Sequence, residues 1–379
     1  MGGNRRFFSE VNHRGNHAGT KARNDVEAIL RSMGIRSVNS KVYELTTNED
    51  ESLIISNVKT RLNLIRYYLD LVVVRGDAVF IQYPMLSFDF DSDYYKRLKK
   101  RNQLIFLIHD IHSLRIAGQE KGTGQLYNRD SLRKEIEKLN LADVVIVHTE
   151  QMKKLLTEAG LQVSHIMILD VFDYLYKGPL PLEGAEPEHI ERLKGKREIS
   201  VAFAGNLRKS AFLRKAVSAN PDVEFVLYGA GCMDALREYT NVNYAGNFLP
   251  DEIPGIIRGR FGLVWDGRDI HTCSGILGEY TRINCPHKLS LYIVAGLPVI
   301  VWKDAAVADY VRANGIGICL ESLEELYSQL HDISDRTYGQ MKNAVLKIRK
   351  ELCTGDHLKD ILGKAYDICL DEGSSDHRF

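Results

Sequence analysis

The 379-residue sequence has no apolar run long enough to cross a bilayer, and its N-terminus lacks the apolar core of a secretory signal peptide. It also lacks a charge imbalance, since Lys and Arg number 50 and Asp and Glu number 50 as well. The net charge therefore gives no indication of nucleic acid or an acidic polymer as a partner. These absences predict a globular cytoplasmic protein, with contact at the inner face of the membrane as an open alternative.

Cysteine is sparse and unevenly placed. The first half of the chain has none, and no Cys-x-x-Cys pair occurs in the second half. This scatter is typical of reduced thiols rather than of a disulfide framework or a zinc site. The six positions are Cys232, Cys273, Cys285, Cys319, Cys353 and Cys369.

In the first half, apolar runs of strand length alternate with amphipathic runs of helix length. This alternation predicts an α/β fold with a doubly wound parallel sheet. The predicted strands are residues 7–11, 78–81, 104–108 and 144–147, and the predicted helices are about 18–33, 54–74, 92–101, 129–139 and 149–159.

Glycine and proline crowd the stretch 177–187, and the strand–helix alternation restarts at Ile199. At this length the chain suits two domains. Two doubly wound domains in series imply a cleft, with ligands at the carboxyl ends of the strands. The predicted organisation is an N-terminal domain at 1–175, a linker at 176–196, a C-terminal domain at 197–355, and a C-terminal helix and tail at 356–379 that is able to pack back on the first domain.

The stretch 278–302 is the most informative in the sequence. Pro286 suits a helix start, and Gly296 suits a left-handed helix end before a Val-Ile-Val strand. Asn284 and Lys288 lie four positions apart around that start, so they are able to face the same side. The N–H groups and positive end of a helix, with a lysine beside them, predict a diphosphate site. An ordinary surface helix with a solvated lysine is the alternative.

Two more strand ends in the second half carry glycine beside polar residues. After the strand at 199–204, Asn206 and Arg208 precede a predicted helix, which favours phosphate binding although it matches neither a Walker loop nor Gly-x-Gly-x-x-Gly. Tyr228 ends the next strand, where its ring is able to stack on a nucleobase. A plain turn with exposed cations and a core tyrosine are the respective alternatives. The polar run 273–278 fits either a mobile lid or a surface loop.

The first half has its own candidate residues. Thr20 follows a glycine-bearing loop at a helix start, where it either meets a phosphate or sugar or caps the helix. His109, Asp110 and His112 follow the strongest strand, and Asp110 or His109 is a candidate general base. The alternatives are a turn cap for Asp110 and simple packing for His112, and a metal site lacks further ligands at usable spacing. The basic cluster 96–101 predicts a solvated helix face or a contact with anionic lipid.

In three places the sequence resembles bacterial GT-B sugar-nucleotide glycosyltransferases: Gly205-Asn206-Leu207, Asp110 in His-Asp-Ile-His-Ser-Leu-Arg, and the run from Asn284 to Trp302. It is similar to the group containing β-1,6-galactofuranosyltransferases and the streptococcal β-1,3-glucosyltransferases that extend glycans on serine-rich adhesins. The resemblance implies two Rossmann-like domains facing a cleft, with a UDP-sugar bound mainly by the second and an acceptor by the first. The donor-site candidates it implies are Asn206, Arg208, Tyr228, Asn284, Lys288 and Ser290, with Thr20 reaching across the cleft.

The sequence lacks a pair of glutamates that is common in retaining GT-B enzymes, and this absence bears on the stereochemistry of the reaction. Many retaining GT-B enzymes carry two glutamates eight positions apart, and the matching register here holds Ile283 and Leu291. We therefore expect an inverting single displacement, in which a base deprotonates the acceptor hydroxyl and that oxygen attacks the anomeric carbon opposite the diphosphate. Asp110 is the candidate base, with His109 or His112 in reserve.

The leaving diphosphate is expected to be stabilised by Lys288, the helix start at Pro286 and Arg208 as fixed electrostatics. The Asp-x-Asp pattern of metal-dependent enzymes occurs only at residues 89–93, in a loop of the acceptor domain. Neither a metal nor a cofactor is expected, and the UDP-sugar is a substrate.

Two other functions fit the same architecture: a UDP-sugar epimerase, and a non-catalytic subunit that holds a partner glycosyltransferase. The resemblance also implies a homo-oligomer of unspecified size. The donor sugar (galactofuranose, glucose or galactose) and the acceptor, whether lipid-linked or protein-linked, stay open at this point because pocket shape decides them.

Overall fold

The computed structural model describes residues 4–9, 18–38, 53–85, 92–116, 129–180, 198–324 and 326–375. The chain divides into two compact units, the first comprising residues 1–169 with 355–379 and the second residues 170–354. Each unit is built on a six-stranded sheet whose neighbouring strands all run parallel. The predicted α/β class with two doubly wound sheets is confirmed.

The sheet of the first unit has the strand order β2-β1-β3-β4-β5-β6. Its strands are β1 (Arg5–Phe7), β2 (Arg36–Ser37), β3 (Ala78–Tyr83), β4 (Gln103–Ile108), β5 (Val144–Val147) and β6 (His165–Ile168). Its helices in this part of the chain are α1 (Ala18–Ser32), α2 (Leu53–Val73), α3 (Ser92–Lys99), α4 (His112–Ile116), α5 (Arg129–Leu139) and α6 (Glu150–Glu158).

Strands β3 and β5 are buried along their whole length, and β4 is buried from Leu104 onwards. Their continuous apolar sequences suit strands that helices cover on both faces. The following polar residues therefore stand at one edge of the sheet, where parallel strands deliver their carboxyl ends together.

The sheet of the second unit has the strand order β12-β11-β10-β7-β8-β9. Its strands are β7 (Ile199–Ala204), β8 (Val223–Tyr228), β9 (Val242–Gly246), β10 (Phe261–Val264), β11 (Val299–Trp302) and β12 (Gly317–Leu320). Its helices are α7 (Phe212–Ala219), α8 (Asp234–Arg237), α9 (Ile253–Ile256), α10 (Gly275–Tyr280), α11 (His287–Val294), α12 (Val307–Asn314), α13 (Leu326–His331) and α14 (Asp335–Thr354).

The last helix, α15 (Asp356–Ser375), belongs to the first unit. Tyr366 is buried on it, and its hydroxyl donates to the carbonyl oxygen of Arg6 at 2.8 Å. Arg5 forms an ion pair of 2.6 Å with Asp367. The chain thus returns to the first sheet after completing the second.

Candidate functional site

Helix α11 is fastened across the carboxyl ends of β7 and β10 by Tyr292. The Tyr292 hydroxyl accepts the N–H of Ala204 at 2.9 Å and donates to the carbonyl oxygen of Leu263 at 3.2 Å. A Cβ atom at Gly262 would lie 2.2 Å from the tyrosine ring, so only glycine admits the ring there. These contacts fix where the first turn of α11 stands relative to the sheet edge.

Lys288 lies one helical turn before Tyr292, on the same side of α11. Its Nζ lies 2.9 Å from Oδ1 of Asp266 and 3.4 Å from the carbonyl oxygen of Trp265. The same ammonium lies 4.8 Å from the ring centroid of Phe203, a cation–π distance. With 17 % of its side chain exposed, Lys288 is held at the sheet edge and remains accessible.

Asp266 did not figure among the predicted site residues. The sequence feature that could have identified Asp266 is its position two residues after the end of β10. A carboxylate at a strand end is a common feature, and only the fold reveals that Lys288 is its partner.

The loops after β7 and β8 are packed together so tightly that glycine is required. The N–H of Gly205 donates to Tyr228 O, and that of Leu207 to Ala230 O, both at 3.0 Å. Gly229 has φ +128°, and a Cβ there would lie 1.9 Å from the carbonyl oxygen of Gly205. Two backbones therefore approach each other where phosphate-binding loops do so in this class of fold.

Asn206 and Arg208 are exposed on the loop after β7, as a surface-facing binding loop requires. The Asn206 carboxamide oxygen accepts the N–H of Lys209 at 3.2 Å. A Cβ at Gly205 would lie 3.2 Å from Cε of Lys288. The predicted loop and the predicted lysine are therefore brought together at one edge of the second sheet.

Two predicted donor-site residues are buried in this structure. Tyr228 belongs to the core, its hydroxyl accepts the N–H of Arg258 at 2.8 Å, and burial raises the pKa of Tyr228 to about 12. Its ring has no exposed face for stacking on a base, so the core-tyrosine alternative describes it. Ser290 is also fully buried, in the second turn of α11.

Unsatisfied polar atoms cluster near the start of α11. Among the described residues, neither Oδ1 of Asn284 nor Oγ of Ser290 has a hydrogen-bond partner. Buried polar groups are normally satisfied, and an unmade hydrogen bond costs about 1–3 kcal/mol. Asn284 precedes α11 and is half-buried, so its amide is a candidate contact for a polar ligand, whereas Ser290 is fully buried.

The run 273–278 is not an irregular surface loop. Residues from Gly275 onwards form α10, and the preceding Cys273 is buried. A Cβ at Gly278 would lie 2.4 Å from the backbone carbon of Cys273, so the turn is closely packed. The interpretation as an irregular loop was wrong because part of the run forms a short helix, and the interpretation as a lid stays a prediction.

In the first unit, the predicted base region is organised by a buried glutamine. Gln82, near the end of β3, lies 2.8 Å through Oε1 from Nε2 of His109. Its NH₂ group donates to the carbonyl oxygen of Arg23 on α1 at 3.4 Å. This chain of contacts joins α1 to the ends of β3 and β4, beside Asp110.

Asp110 is half-buried directly after β4 and close to His148. Burial lowers the pKa of His148 to about 4, and the Asp110 carboxylate opposes that shift. The Nε2–H of His148 donates to the carbonyl oxygen of Ile108 at 2.8 Å. His112 is exposed, and its N–H donates to Glu135, which holds the start of α4.

The start of α1 carries charges that are unusually well buried. Lys21 and Asp25 form an ion pair of 2.7 Å with side chains only 6 % and 7 % exposed. Arg23 donates to the carbonyl oxygen of Pro84 at 2.7 Å. Thr20 is buried as the third residue of the helix, so it does not cap α1. Buried charges of this kind are retained mainly at functional sites or in specific networks.

No group of three or more His, Cys, Asp or Glu side chains within the described ranges has the geometry to hold a metal ion. The Asp-x-Asp positions 89–91 and most of the glycine loop before α1 lie outside the described residues.

Comparison with known proteins covers both units. A family model described as glucosyltransferase 3-like, N-terminal domain, matches residues 5–171, and the corresponding C-terminal domain model matches residues 201–365. A β-1,6-galactofuranosyltransferase of Escherichia coli K12 is 30% identical over 95% of this chain and 98% of its own length. Glucosyltransferase 3 of Streptococcus gordonii is 27% identical over 90% of this chain and 92% of its own.

Solved structures give the same fold at much lower identity. A sucrose-phosphate synthase from Thermosynechococcus elongatus has a TM-score of 0.64 at 13% identity, covering 96% of this chain and 98% of its own. A UDP-forming trehalose-phosphate synthase from Burkholderia xenovorans has a TM-score of 0.51 at 9% identity, covering 84% and 80%. Both likenesses concern the two-domain GT-B architecture.

Proposed function

Because this chain belongs to the glucosyltransferase 3-like family of GT-B glycosyltransferases, we propose that it transfers a hexosyl group from a UDP-sugar to a hydroxyl of a glycan. The transferred group is galactofuranosyl, glucosyl or galactosyl, and the acceptor belongs to a bacterial surface polysaccharide or glycoprotein. The relatives named for galactofuranosyl and glucosyl transfer support this range.

The donor diphosphate binds at the carboxyl edge of the second sheet, between the loop after β7 and the start of α11. One observation carries this proposal: Lys288 is held beside Gly205 and Asp266, at a helix start. A helix N-terminus and a fixed cation together favour an anion. Asp266 positions the ammonium, Arg208 adds a second cation, and Asn206 and Asn284 offer amide groups. Tyr228 and Ser290 support this site from the core.

Asp110 acts as the base for the acceptor hydroxyl, with His109 or His112 in reserve, and Thr20 is the candidate of the first unit for contact with the donor. The half-buried carboxylate at the end of β4 supports this role, since a base must be both reachable and partly desolvated. The reaction inverts the anomeric centre. The β linkage in the name of the Escherichia coli relative supports inversion, because UDP-hexoses carry the α linkage.

A binding experiment tests the donor site. Replacing Lys288 with alanine removes a charge-assisted contact and should weaken UDP binding about 30-fold or more by titration calorimetry. Lys215→Ala is the matched control, because Lys215 also pairs with an aspartate of the loop after β10 at 2.9 Å. Equal affinity of the Lys288→Ala protein and the unmodified protein would contradict the proposal.

A second experiment separates binding from chemistry. Asp110→Asn should abolish transfer while leaving UDP affinity within about twofold, because the base acts on the acceptor and not on the diphosphate. Transfer by this variant at the unmodified rate would move the role of base to His109 or His112.

Product analysis decides among the alternatives. Proton NMR of the first product should show the β anomer, and activity should persist in EDTA because Lys288 and α11 stabilise the leaving group. An epimerase would convert a UDP-sugar without any acceptor. A non-catalytic partner subunit would show neither activity and would tolerate loss of both Lys288 and Asp110.

The cellular location, the oligomeric state and the donor sugar complete the proposed function. The enzyme acts in the cytoplasm, at the inner face of the membrane, and forms a homo-oligomer. A thermal-shift screen of UDP-sugars identifies the donor, because a ligand that binds only the folded chain raises the apparent melting temperature.

A further inference from the structure

Helix α2 directs an apolar row toward the surface of the first unit. Leu62, Ile65, Leu69 and Val72 are 44, 58, 60 and 59 % exposed, and Val73 is 80 % exposed. Spacings of three and four place the row along one side of the helix, opposite the buried Tyr67. Rows with this spacing normally face the core. A contiguous exposed row of this kind marks an interaction surface.

Helix α3 lies beside this row. The rings of Tyr68 and Tyr94 meet edge to face at 5.6 Å, and the N–H of Gly76 donates to Arg101 O at 2.7 Å. Arg97 follows Tyr94 by one turn of α3, and Arg101 comes two residues after the helix ends, at the contact with Gly76, so both lie near α2. The outer surfaces of the two helices are therefore adjacent.

This adjacent surface is strongly cationic. Within the described side chains of residues 61–77 and 92–101, Asp93 is the only exposed carboxylate, and it already lies 3.5 Å from Lys96. Asp70 is half-buried and Asp77 is buried. The exposed cations of the surface are Arg61, Arg75, Lys96, Arg97, Lys100 and Arg101.

We propose that the apolar row of α2 and the exposed cations on and next to α2 and α3 bind the surface of an anionic phospholipid bilayer. The apolar side chains enter the boundary between headgroups and acyl chains, and the cations pair with phosphate and anionic headgroups. The contact is peripheral, and no described helix is long and apolar enough to cross a membrane.

Charge complementarity favours a lipid surface over a second copy of the chain. In a two-fold symmetric contact, the same patch meets itself, so two cationic rows would be brought together. Like charges placed opposite one another oppose such a contact, whereas an anionic bilayer neutralises them.

Vesicle flotation of the full-length protein tests the proposal. We expect binding to vesicles of phosphatidylcholine and phosphatidylglycerol in equal parts, weaker binding in high salt, and little binding to phosphatidylcholine alone. Arg97→Gln with Lys100→Gln should weaken binding on the order of 30-fold, at about 1 kcal/mol per cation. Ile65→Gln with Leu69→Gln should weaken it about tenfold per side chain.

The controls match each variant with an exposed residue elsewhere. Leu249→Gln changes an apolar side chain that is 43 % exposed in the second unit, and Lys154→Gln changes an exposed lysine on α6. Both should float with the vesicles like the unmodified protein. Circular dichroism should show all variants folded, because every changed side chain is exposed.

Three results would overturn the proposal. The first is that the unmodified protein does not bind anionic vesicles. The others are that both double variants bind as strongly as the unmodified protein, or that the unmodified protein binds neutral vesicles as strongly as anionic ones. A change in the lipid-free mass of the Ile65→Gln, Leu69→Gln protein, measured by light scattering, would assign the row to self-association instead.

Discussion

At the scale of single residues, the proposed donor site depends on two glycines that differ in what a side chain would meet. A Cβ at Gly229 would meet the backbone oxygen of Gly205, at a left-handed φ that side chains rarely adopt. A Cβ at Gly205 would lie 3.2 Å from the flexible end of Lys288 and 3.6 Å from the ring of Phe203, which is an ordinary contact distance. One glycine is therefore needed for the fold and the other for the position of the lysine.

These differences predict opposite outcomes for two alanine variants. Gly229→Ala should lower the free energy of unfolding by roughly 2–4 kcal/mol, because backbone must move. Gly205→Ala should unfold nearly like the unmodified protein but bind UDP several-fold more weakly. Urea unfolding and calorimetry distinguish them, and a strongly destabilised Gly205→Ala protein with unchanged UDP affinity would contradict the described packing.

The lowered pKa of His148 predicts that the free energy of unfolding depends on pH. Burial lowers its pKa in the folded chain from 6.5 to about 4, so between these values the unfolded chain binds a proton that the folded chain does not. The free energy of unfolding should therefore fall as the pH drops from 6.5 to 4, by up to about 3 kcal/mol from this residue.

The variant His148→Gln isolates that contribution, since glutamine does not titrate and its NH₂ group is able to donate to Ile108 O. Urea unfolding at pH 7 and pH 5 should show a smaller loss of stability in the variant. Equal losses in the two proteins would show that His148 is not the group responsible.

At the scale of elements, sequence patterns located most of the strands and helices. The strand 144–147 and the helix 129–139 have the predicted bounds, and Thr149 caps α6 by accepting the N–H of Met152 at 3.1 Å. The sequence of a central strand is easy to recognise because both of its faces are buried and its residues are therefore apolar. The edge strand β6 was missed because its residues are only half-buried and its apolar run begins with a histidine.

The candidate site was predictable in outline and not in detail. Glycine loops and Lys288 are visible in the sequence, because each follows a strand or begins a helix. The pairing of Lys288 with Asp266 and the burial of Tyr228 depend on tertiary packing between separate elements. The buried ion pair of Lys21 with Asp25 and the buried Gln82 were missed for the same reason, since polar side chains ordinarily face solvent.

Helix α15 is expected to stabilise the first unit through its buried side. Leu362 is fully buried in the first unit, so Leu362→Ala should cost about 2–5 kcal/mol of stability. Lys364→Ala, two residues further on, removes an exposed ion pair with Asp360 and should change stability by less than about 1 kcal/mol. Similar unfolding curves for the two variants would show that α15 does not contribute to the core.

At the scale of the whole molecule, the candidate residues for donor binding and for the base lie mainly in different units. The second unit holds Lys288, the start of α11 and the glycine loops, which we propose bind the donor diphosphate. The first unit holds Asp110, the proposed base, and the buried polar contacts beside it. The first unit also carries the exposed surface of α2 and α3 that fits an anionic bilayer.

The account as a whole depends on where the diphosphate binds. The most direct measurement is a crystal structure of the protein with UDP bound. We expect a phosphate oxygen within hydrogen-bond distance of Lys288 Nζ, beside Gly205 and the first turn of α11, with uracil outside the core that holds Tyr228. UDP bound at any other strand edge, with Lys288 still paired only to Asp266, would contradict it.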